Sequence, residues 1–279
     1  MIAERPHTSL NPPVPSAIRR RRILVLLALS LAINTFGIAF MTFRVMRKGG
    51  LRYLLERLDL RDAAHPLLPF QEDWRARLRK YPNTANEIVF VGDSIIAEGP
   101  WSELYSSIKN RGMGGDTTAG LLERLDEVTE SFPSKAFLLI GANCLAADIP
   151  VAQIVRDYRK ILERIRHDSP QTKLYLIGVL PVNQHFANGP VQDNGTVRDL
   201  NNRLMQLAGE IGNVEYIDAS VVLSDEHGDL RKEYSTDGLH LSLDGYLNLG
   251  EFLEPYVVAA GSDSNLEPHG SRFTLRDHK

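Results

Sequence analysis

The residue types best suited to covalent chemistry are Ser94, in the tripeptide Gly-Asp-Ser, and the pair Asp237 and His240 in Asp-Gly-Leu-His. A neutral serine hydroxyl is a poor nucleophile and needs a base to take its proton. A carboxylate three residues before a histidine can hold one ring nitrogen and leave the other as that base. Together these three side chains could attack a carbonyl carbon and form a covalent acyl intermediate.

Both segments also have a simpler structural interpretation, which stays open at this point. Gly-Asp-Ser consists of three residue types that favour turns. Asp237 and His240 are also typical of a helix start, with Asp237 as the cap of a helix beginning near Ser242. The choice between the two interpretations therefore depends on whether the sequence also contains the other groups that acyl transfer needs.

Acyl transfer also needs hydrogen-bond donors for the oxygen that becomes negative, an arrangement called the oxyanion hole. The candidates are the backbone N–H groups of Ser94 and Gly115 and the side-chain amide of Asn143. A glycine at position 115 lets the backbone approach a substrate without a Cβ in the way. Residues 112–115 could instead be a plain flexible turn. A phosphate-binding loop is disfavoured, because the G-x-x-x-x-G-K-[ST] pattern is absent.

Short apolar runs rich in β-branched residues predict strands directly before these groups. The runs cover residues 88–91, 136–140, 174–179 and 214–217, with a further short strand near Ile108. Helical patterns between them cover residues 118–130, 151–167, 196–211 and 243–259. This alternation predicts an α/β fold with a parallel sheet covered on both faces. Ligand-binding groups gather at the carboxyl ends of such strands, so we expect all the candidate groups at one edge of the sheet.

Four blocks in order, GDS, NRGMGGDTTAGLLERL, IGAN and DGLHLSLDGY, resemble the SGNH (GDSL-type) hydrolase family. They look most similar to the branch with platelet-activating-factor acetylhydrolase catalytic subunits and bacterial acylhydrolases, over about residues 87–257. The resemblance implies a flavodoxin-like, three-layer α/β/α domain that hydrolyses esters or thioesters without metal or cofactor. Matched block by block, it implies a nucleophile at Ser94, triad partners at Asp237 and His240, and oxyanion-hole positions at Gly115 and Asn143.

One position departs from the family pattern, in which the third block usually reads Gly-x-Asn-Asp. Here Cys144 stands in place of the aspartate of this block, while Asn143 is present. The donor for the oxyanion is therefore retained, although a supporting hydrogen bond from the acid would be lost. Since no basic residue lies near Cys144 in the sequence, we expect a small buried packing residue and not a second nucleophile.

The composition excludes several other classes of protein. Among 279 residues, 32 lysines and arginines face 35 acidic residues, and this net charge of −3 argues against a general nucleic-acid binder. A single cysteine excludes an internal disulfide framework and a thiol-rich metal site. His65, His167, His185 and His227 show no metal-ligand spacing, so we assign no metal.

The N-terminal part has a different character. Residues 1–22 are rich in proline and end in four arginines, which predicts a disordered basic tail. Residues 23–43 carry no charge and are long enough to cross a bilayer, which predicts a transmembrane anchor. A cleaved signal peptide is the competing interpretation, and the long apolar run and the missing cleavage site oppose it. Arginines flank both ends, and the block before the span weakly favours an extracytoplasmic catalytic domain.

Residues 44–85 predict an amphipathic helical linker, which either lies on the membrane surface or else packs on the catalytic domain or acts as a spacer. Residues 86–260 form the predicted SGNH hydrolase domain, and residues 261–279 a flexible tail. The sequence therefore predicts a membrane-anchored serine esterase that cleaves carboxylic esters, with a lysophospholipid or another lipid ester as substrate. The alternatives are a carbohydrate O-acetylesterase, an acyltransferase and a non-catalytic membrane scaffold. Oligomeric state stays open.

Overall fold

A computed structural model describes residues 16–47, 69–80, 84, 86–105, 108–187 and 189–258. The chain divides into two compact units, Met1–Asp62 and Ala63–Lys279. The predicted C-terminal tail, residues 1–15 of the predicted N-terminal tail, and residues 48–68, 81–83 and 85 of the predicted linker lie outside the described residues.

The second unit is built on five parallel strands. They are β1 (Ile88–Gly92), β2 (Ile108–Gly112), β3 (Lys135–Leu139), β4 (Lys173–Ile177) and β5 (Val214–Ile217). The strand order is β2-β1-β3-β4-β5, which is the flavodoxin-like order, and every neighbouring pair is parallel. The predicted strands are confirmed, including the short one near Ile108. In this order the chain changes direction across the sheet between β1 and β3, where doubly wound folds place their ligands.

The helices of this unit surround the sheet. They are α2 (Pro69–Leu78), α3 (Ser94–Glu98), α4 (Trp101–Leu104), α5 (Thr118–Glu123), α6 (Asp126–Thr129), α7 (Ala142–Ala146), α8 (Val151–Asp168), α9 (Asn194–Ile211), α10 (Ser220–Leu223) and α11 (Leu243–Val257), with a 3₁₀ turn at Lys232–Tyr234. The predicted helix over 118–130 is divided in two at Arg124, whose backbone leaves helical geometry and whose side chain is buried. The predicted helix from residue 243 ends at Val257, two residues early.

Alternating strand side chains fill two separate cores, one on each face of the sheet. On one face, Val89 and Val91 belong to a core completed by α5, α6, α8 and α9. On the other face, Ile88 and Phe90 belong to a core completed by α3, α4, α10 and α11. The strands are therefore buried on both sides, which explains why they read as continuous apolar runs. The predicted three-layer α/β/α architecture is confirmed.

Helix α2 packs on the α/β domain through polar contacts. Trp74 donates its ring N–H to the carbonyl of Gly112 at 2.8 Å, and Gln71 donates its amide to the carbonyl of Gly114 at 2.9 Å. Arg75 bonds the carbonyl of Glu123 at 2.7 Å. Of the two predictions for the linker, the described part fits the helix packed on the catalytic domain.

The first unit contains α1 (Ser16–Arg47). Residues 16–22 were expected in a disordered tail but are helical, because the last proline of this segment is Pro15 and nothing after it breaks a helix. The predicted anchor, residues 23–43, lies within α1. Among the residues that the structure describes, no helix is both long enough and apolar enough to traverse a bilayer, so the anchor is not confirmed.

The close packing of β1 against β3 can be tested at Gly92, where an added Cβ would lie 1.9 Å from the carbonyl oxygen of Leu139. The backbone of β3 would have to move, so we expect Gly92→Ala to lower the free energy of unfolding by at least about 2 kcal/mol. Gly209, exposed in α9 with nothing within 4 Å of an added Cβ, is the control. Gly209→Ala should instead raise the free energy of unfolding by about 0.5–1 kcal/mol. Urea unfolding of both variants measures this difference, and equal effects would contradict it.

Candidate active site

Ser94 lies where β1 ends and α3 begins. Asp93 is the N-terminal cap of α3, and its Oδ1 accepts a hydrogen bond from the backbone N–H of Ile95 at 3.1 Å. Ser94 is the first residue of the helix, so its side chain stands at the carboxyl edge of the sheet. The tripeptide is thus a strand-to-helix connection beside the point where the strand order reverses.

The structure brings the three side chains singled out first from the sequence into one chain of hydrogen bonds. The Oγ of Ser94 lies 3.0 Å from Nε2 of His240, across 146 positions of sequence. Nδ1 of His240 lies 2.7 Å from Oδ2 of Asp237. Partial burial would raise the pKa of Asp237, but hydrogen bonds from the ring and backbone of His240 and from the Leu239 N–H outweigh it and lower this pKa. The carboxylate is therefore ionised and accepts the Nδ1 proton, which leaves Nε2 to accept the serine proton.

The loop that carries Asp237 and His240 is fixed by its own backbone. Oδ1 of Asp237 accepts the N–H groups of Leu239 and His240 at 2.9 and 2.7 Å. Gly238 has a φ of +89°, and a Cβ there would lie 2.2 Å from the carbonyl oxygen of Asn183. The cap of α11 is Ser242 and not Asp237, so the helix-cap interpretation of Asp237 was wrong.

Residues 113–116 form the turn that contains Gly115. The N–H of Asp116 donates to the carbonyl of Met113 at 3.2 Å, and Gly115 has a φ of +72° while Gly114 does not have a positive φ. These values define a type II turn, which needs a positive φ at its third residue. The glycine at 115 is thus required by the turn.

Asn143, near the start of α7, lies against this turn. Its Nδ2 donates to the carbonyl of Asp116 at 2.9 Å. A side-chain amide carries two N–H donors, so this bond uses one and leaves the second for a ligand. The structure therefore brings Asn143 and the turn of Gly115 together at the same edge as Ser94.

A buried ion pair lies beneath the turn. Arg124 is fully buried, and its guanidinium bonds Oδ2 of Asp116 at 2.8 Å. It also donates to the carbonyls of Arg111 at 2.9 Å and Gly92 at 3.1 Å. Burial raises the pKa of Asp116 and the arginine opposes this. One side chain thus ties the ends of β1 and β2 to the turn.

Asp93 is a second buried acid beside Ser94. It is fully buried, and its Oδ2 has no hydrogen-bond partner among the described residues. Burial raises the pKa of Asp93 to about 7, and the charge of Asp116 adds to this, while the hydrogen bond from the Ile95 N–H opposes it. Around neutral pH this side chain is consequently divided between its acid and carboxylate forms.

Cys144 is buried, as the sequence predicted. Burial raises the pKa of its thiol to about 12, so the thiol is not a competing nucleophile at neutral pH. Its Sγ accepts the N–H of Thr118 at 3.4 Å. The Thr118 hydroxyl in turn donates to Asp157 at 3.1 Å, so α8 supplies a carboxylate near the position where the family pattern has one.

Several residues around the site were missed from the sequence. Gln71 and Trp74 contact the turn from 43 and 38 positions away, and no local pattern connects segments so distant. Arg124 and Asp116 are eight positions apart, and no sequence pattern joined them as a pair. The clue that was present is an arginine amid the apolar run of Leu121, Leu122 and Leu125. Among the described residues, no group of three or more histidines, cysteines and acids could hold a metal.

Comparison with known proteins places the chain in a family. The GDSL-like Lipase/Acylhydrolase family matches residues 90–247, more than half of the 279 residues. The Platelet-activating factor acetylhydrolase IB subunit alpha1 of Bos taurus is 29% identical over 168 residues, which cover 57% of this chain and 70% of the relative. The resemblance read from the four sequence blocks is thereby confirmed.

Two solved structures are also similar. One, from Streptococcus pneumonia and named for platelet activating factor, has a TM-score of 0.63 and 33% identity, covering 67% of this chain and 92% of the other. The lipase/acylhydrolase from Enterococcus faecalis has a TM-score of 0.52 and 25% identity, covering 67% and 100%. The matched family region begins after α2.

The buried Asp93 makes stability depend on pH. Its folded-state pKa of about 7 exceeds the ordinary value of about 4, so the folded protein holds a proton that the unfolded chain releases. The free energy of unfolding should therefore fall as the pH rises from about 4 to about 7, by a few kcal/mol at most. In Asp93→Asn this part of the pH dependence is absent. The free energy of unfolding of the variant should therefore rise relative to that of the native protein as the pH rises.

Urea unfolding at a series of pH values measures the difference between the two proteins. Asp199→Asn, at an exposed position of α9, is the control and should follow the native profile. Parallel profiles for Asp93→Asn and the native protein would contradict the prediction.

Proposed function

Because this chain belongs to the GDSL-like lipase/acylhydrolase family, whose members are carboxylic ester hydrolases, we propose that it cleaves esters with Ser94 as nucleophile. His240 is the general base and Asp237 its partner. The observation that carries this proposal is the continuous set of hydrogen bonds from the serine hydroxyl through the imidazole to an ionised carboxylate.

The first half of the reaction forms an acyl-enzyme. The Oγ of Ser94 attacks the ester carbonyl carbon while its proton moves to Nε2 of His240, 3.0 Å away. Asp237 keeps the Nδ1 proton in place and stabilises the imidazolium that results. When the tetrahedral intermediate collapses, the bond to the alcohol oxygen breaks and His240 returns the proton to that oxygen. The alcohol leaves, and the acyl group stays on Ser94.

The second half releases the acid. A water molecule attacks the acyl carbon, and His240 takes one of its protons. The ester bond to Ser94 breaks, the proton passes to its Oγ, and a carboxylic acid leaves. In both halves the negative carbonyl oxygen is held by the N–H groups of Ser94 and Gly115 and by the second amide N–H of Asn143. The contact of Asn143 with the turn of Gly115 supports this assignment.

For the substrate we propose a lipid ester of the lysophospholipid or acetyl-phospholipid class. Support comes from relatives named for platelet-activating factor acetylhydrolase, with 27–29% identity. The partial exposure of His240 and Asp237, with 28% and 48% of their side chains accessible, leaves the site open to a bulky molecule.

Membrane attachment and an extracytoplasmic catalytic domain are separate proposals. Residues 23–43 contain no charged residue, and the described apolar side chains of this stretch are exposed. Leu31 and Phe36 are 70% and 74% exposed. Exposed apolar side chains are unfavourable in water but favourable in the hydrocarbon of a membrane. Four arginines directly before this stretch favour a cytoplasmic N-terminus.

Replacing the nucleophile tests the mechanism. We expect Ser94→Ala to lower kcat for p-nitrophenyl acetate by at least about 10³-fold, because a residue of this unit cannot be bypassed. Ser102→Ala, at an exposed position of α4, is the control and should keep the native rate. The same proteins assayed with a lysophospholipid test the substrate class. Equal rates for Ser94→Ala and Ser102→Ala would remove Ser94 from the reaction.

Replacing exposed apolar residues tests attachment. We expect the full chain to float with phospholipid vesicles, and a Leu31→Glu, Phe36→Glu double variant to stay behind, because charge opposes transfer into lipid. Leu243→Glu, at a position 64% exposed on α11, is the control and should float like the native protein. Protease treatment of sealed cell-derived vesicles tests the orientation through loss or survival of esterase activity. Flotation of the double variant would contradict the proposal.

A further inference from the structure

Helix α2 contacts the turn that carries Gly115 at its central peptide and just before its first residue. Gln71 is 6% exposed, and its Nε2 donates to the carbonyl of Gly114 at 2.9 Å. One helical turn further on, the ring N–H of Trp74 donates to the carbonyl of Gly112 at 2.8 Å. Neither residue lies in the region matched to the family, residues 90–247. The turn is therefore completed by a segment that lies outside the matched region.

The contact of Gln71 fixes the direction of one particular N–H group. The Gly114 carbonyl and the Gly115 N–H belong to the same peptide unit, which is planar and trans. In such a unit the C=O and the N–H point to opposite sides. Because the carbonyl points to Gln71, the N–H of Gly115 points away from α2.

This peptide is the central unit of the type II turn, and it has an alternative orientation. Types I and II differ mainly in that the central peptide is rotated by about half a turn. With glycine at both 114 and 115, little steric cost opposes the rotation. The rotated turn would present a carbonyl oxygen where an N–H donor is needed, and a developing negative charge would be repelled there.

Gln71 makes the rotated orientation unfavourable. Rotation would break its bond to the Gly114 carbonyl, and losing this acceptor is unfavourable because the Gln71 side chain is only 6% exposed. The helix cannot easily follow the peptide, because Arg75 ties it to the carbonyl of Glu123 and to the buried carboxylate of Glu127.

We propose that Gln71 is a positioning residue for ester hydrolysis, which locks the Gly114–Gly115 peptide so that the Gly115 N–H faces the oxyanion. Trp74 assists by holding the carbonyl of Gly112, just before the turn. This inference rests on the proposed function, in which Gly115 is an oxyanion-hole donor. It makes α2 a working part of the site and not merely a linker.

Two replacements of matched shape test the lock. Gln71→Met has no donor, and Gln71→Glu has none while its carboxylate is ionised. We expect both to lower kcat for p-nitrophenyl acetate about 10- to 100-fold at neutral pH, part of the loss seen when an oxyanion donor is removed. KM should change less than threefold, because the lock acts on the transition state.

The pH profile separates positioning from a structural effect. A protonated Gln71→Glu side chain has an O–H that can donate to Gly114 again, and burial raises the carboxyl pKa above its usual value of about 4.3. The kcat of Gln71→Glu relative to the native protein should therefore rise as the pH is lowered. The same ratio for Gln71→Met should stay flat. Any pH dependence that all three proteins share cancels in the ratio.

Glu72→Gln, at the exposed neighbouring position of α2, is the control and should keep the native kcat. If Ser94→Ala is inactive but Gln71→Met and Gln71→Glu keep the native kcat, the lock is overturned and the proposed function stands. If kcat falls equally in both variants at every pH, together with a lower melting temperature, α2 is only structural. Full activity of Ser94→Ala would instead overturn the proposed function itself.

Discussion

The structure around the site depends on one buried interaction, the ion pair between Arg124 and Asp116. Burying two charges is costly, and it is tolerated here because nearly every donor of the guanidinium has a partner, including the carbonyls of Gly92 and Arg111. Gly92 is the last residue of β1 and Arg111 the last but one of β2, so a single side chain links the strand before Ser94 to the turn of Gly115. Asp116 continues the link through its own carbonyl, which accepts the amide of Asn143. Without the arginine, an unpaired carboxylate would remain under the turn.

This arrangement shows how strands of only four or five residues can place the groups of the site accurately. Each strand ends at the same edge, and each following loop is fixed by a different device. After β1 the device is a capped helix, after β2 a glycine turn over an ion pair, after β3 the start of α7 with Asn143. The loop of His240 relies on Asp237, which accepts backbone N–H groups through one oxygen and the imidazole through the other. Hydrogen bonds to the backbone thus fix the positions of the site's groups, while the apolar cores hold together the sheet that carries them.

The sequence was sufficient for the parts of the molecule that follow local rules. Continuous apolar runs predicted the strands because both faces of the sheet are buried, and the position of Ser94 followed from the end of β1. Asp237 and His240 lie well beyond the end of β5 at Ile217, after α10 and the 3₁₀ turn, and only the Asp-Gly-Leu-His spacing pointed to them. The break at Arg124 could not be predicted, since helical periodicity continues through it and only the buried partners of its guanidinium explain it. The contacts of Gln71 and Trp74 likewise depend on where α2 docks, which no pattern within 69–78 contains. The anchor predicted over residues 23–43 rests on composition alone, and it stays a prediction.

Cys144 gives this molecule a built-in reporter. It is the only cysteine among 279 residues, it is fully buried, and it lies next to Asn143 in α7. A thiol reagent can therefore reach it only when this region opens, so the rate of its modification counts local openings of the loop after β3. No engineered label is needed, and the count concerns the same segment that carries the Asn143 amide. The departure from the family pattern at this position thus makes the breathing of the candidate site directly observable.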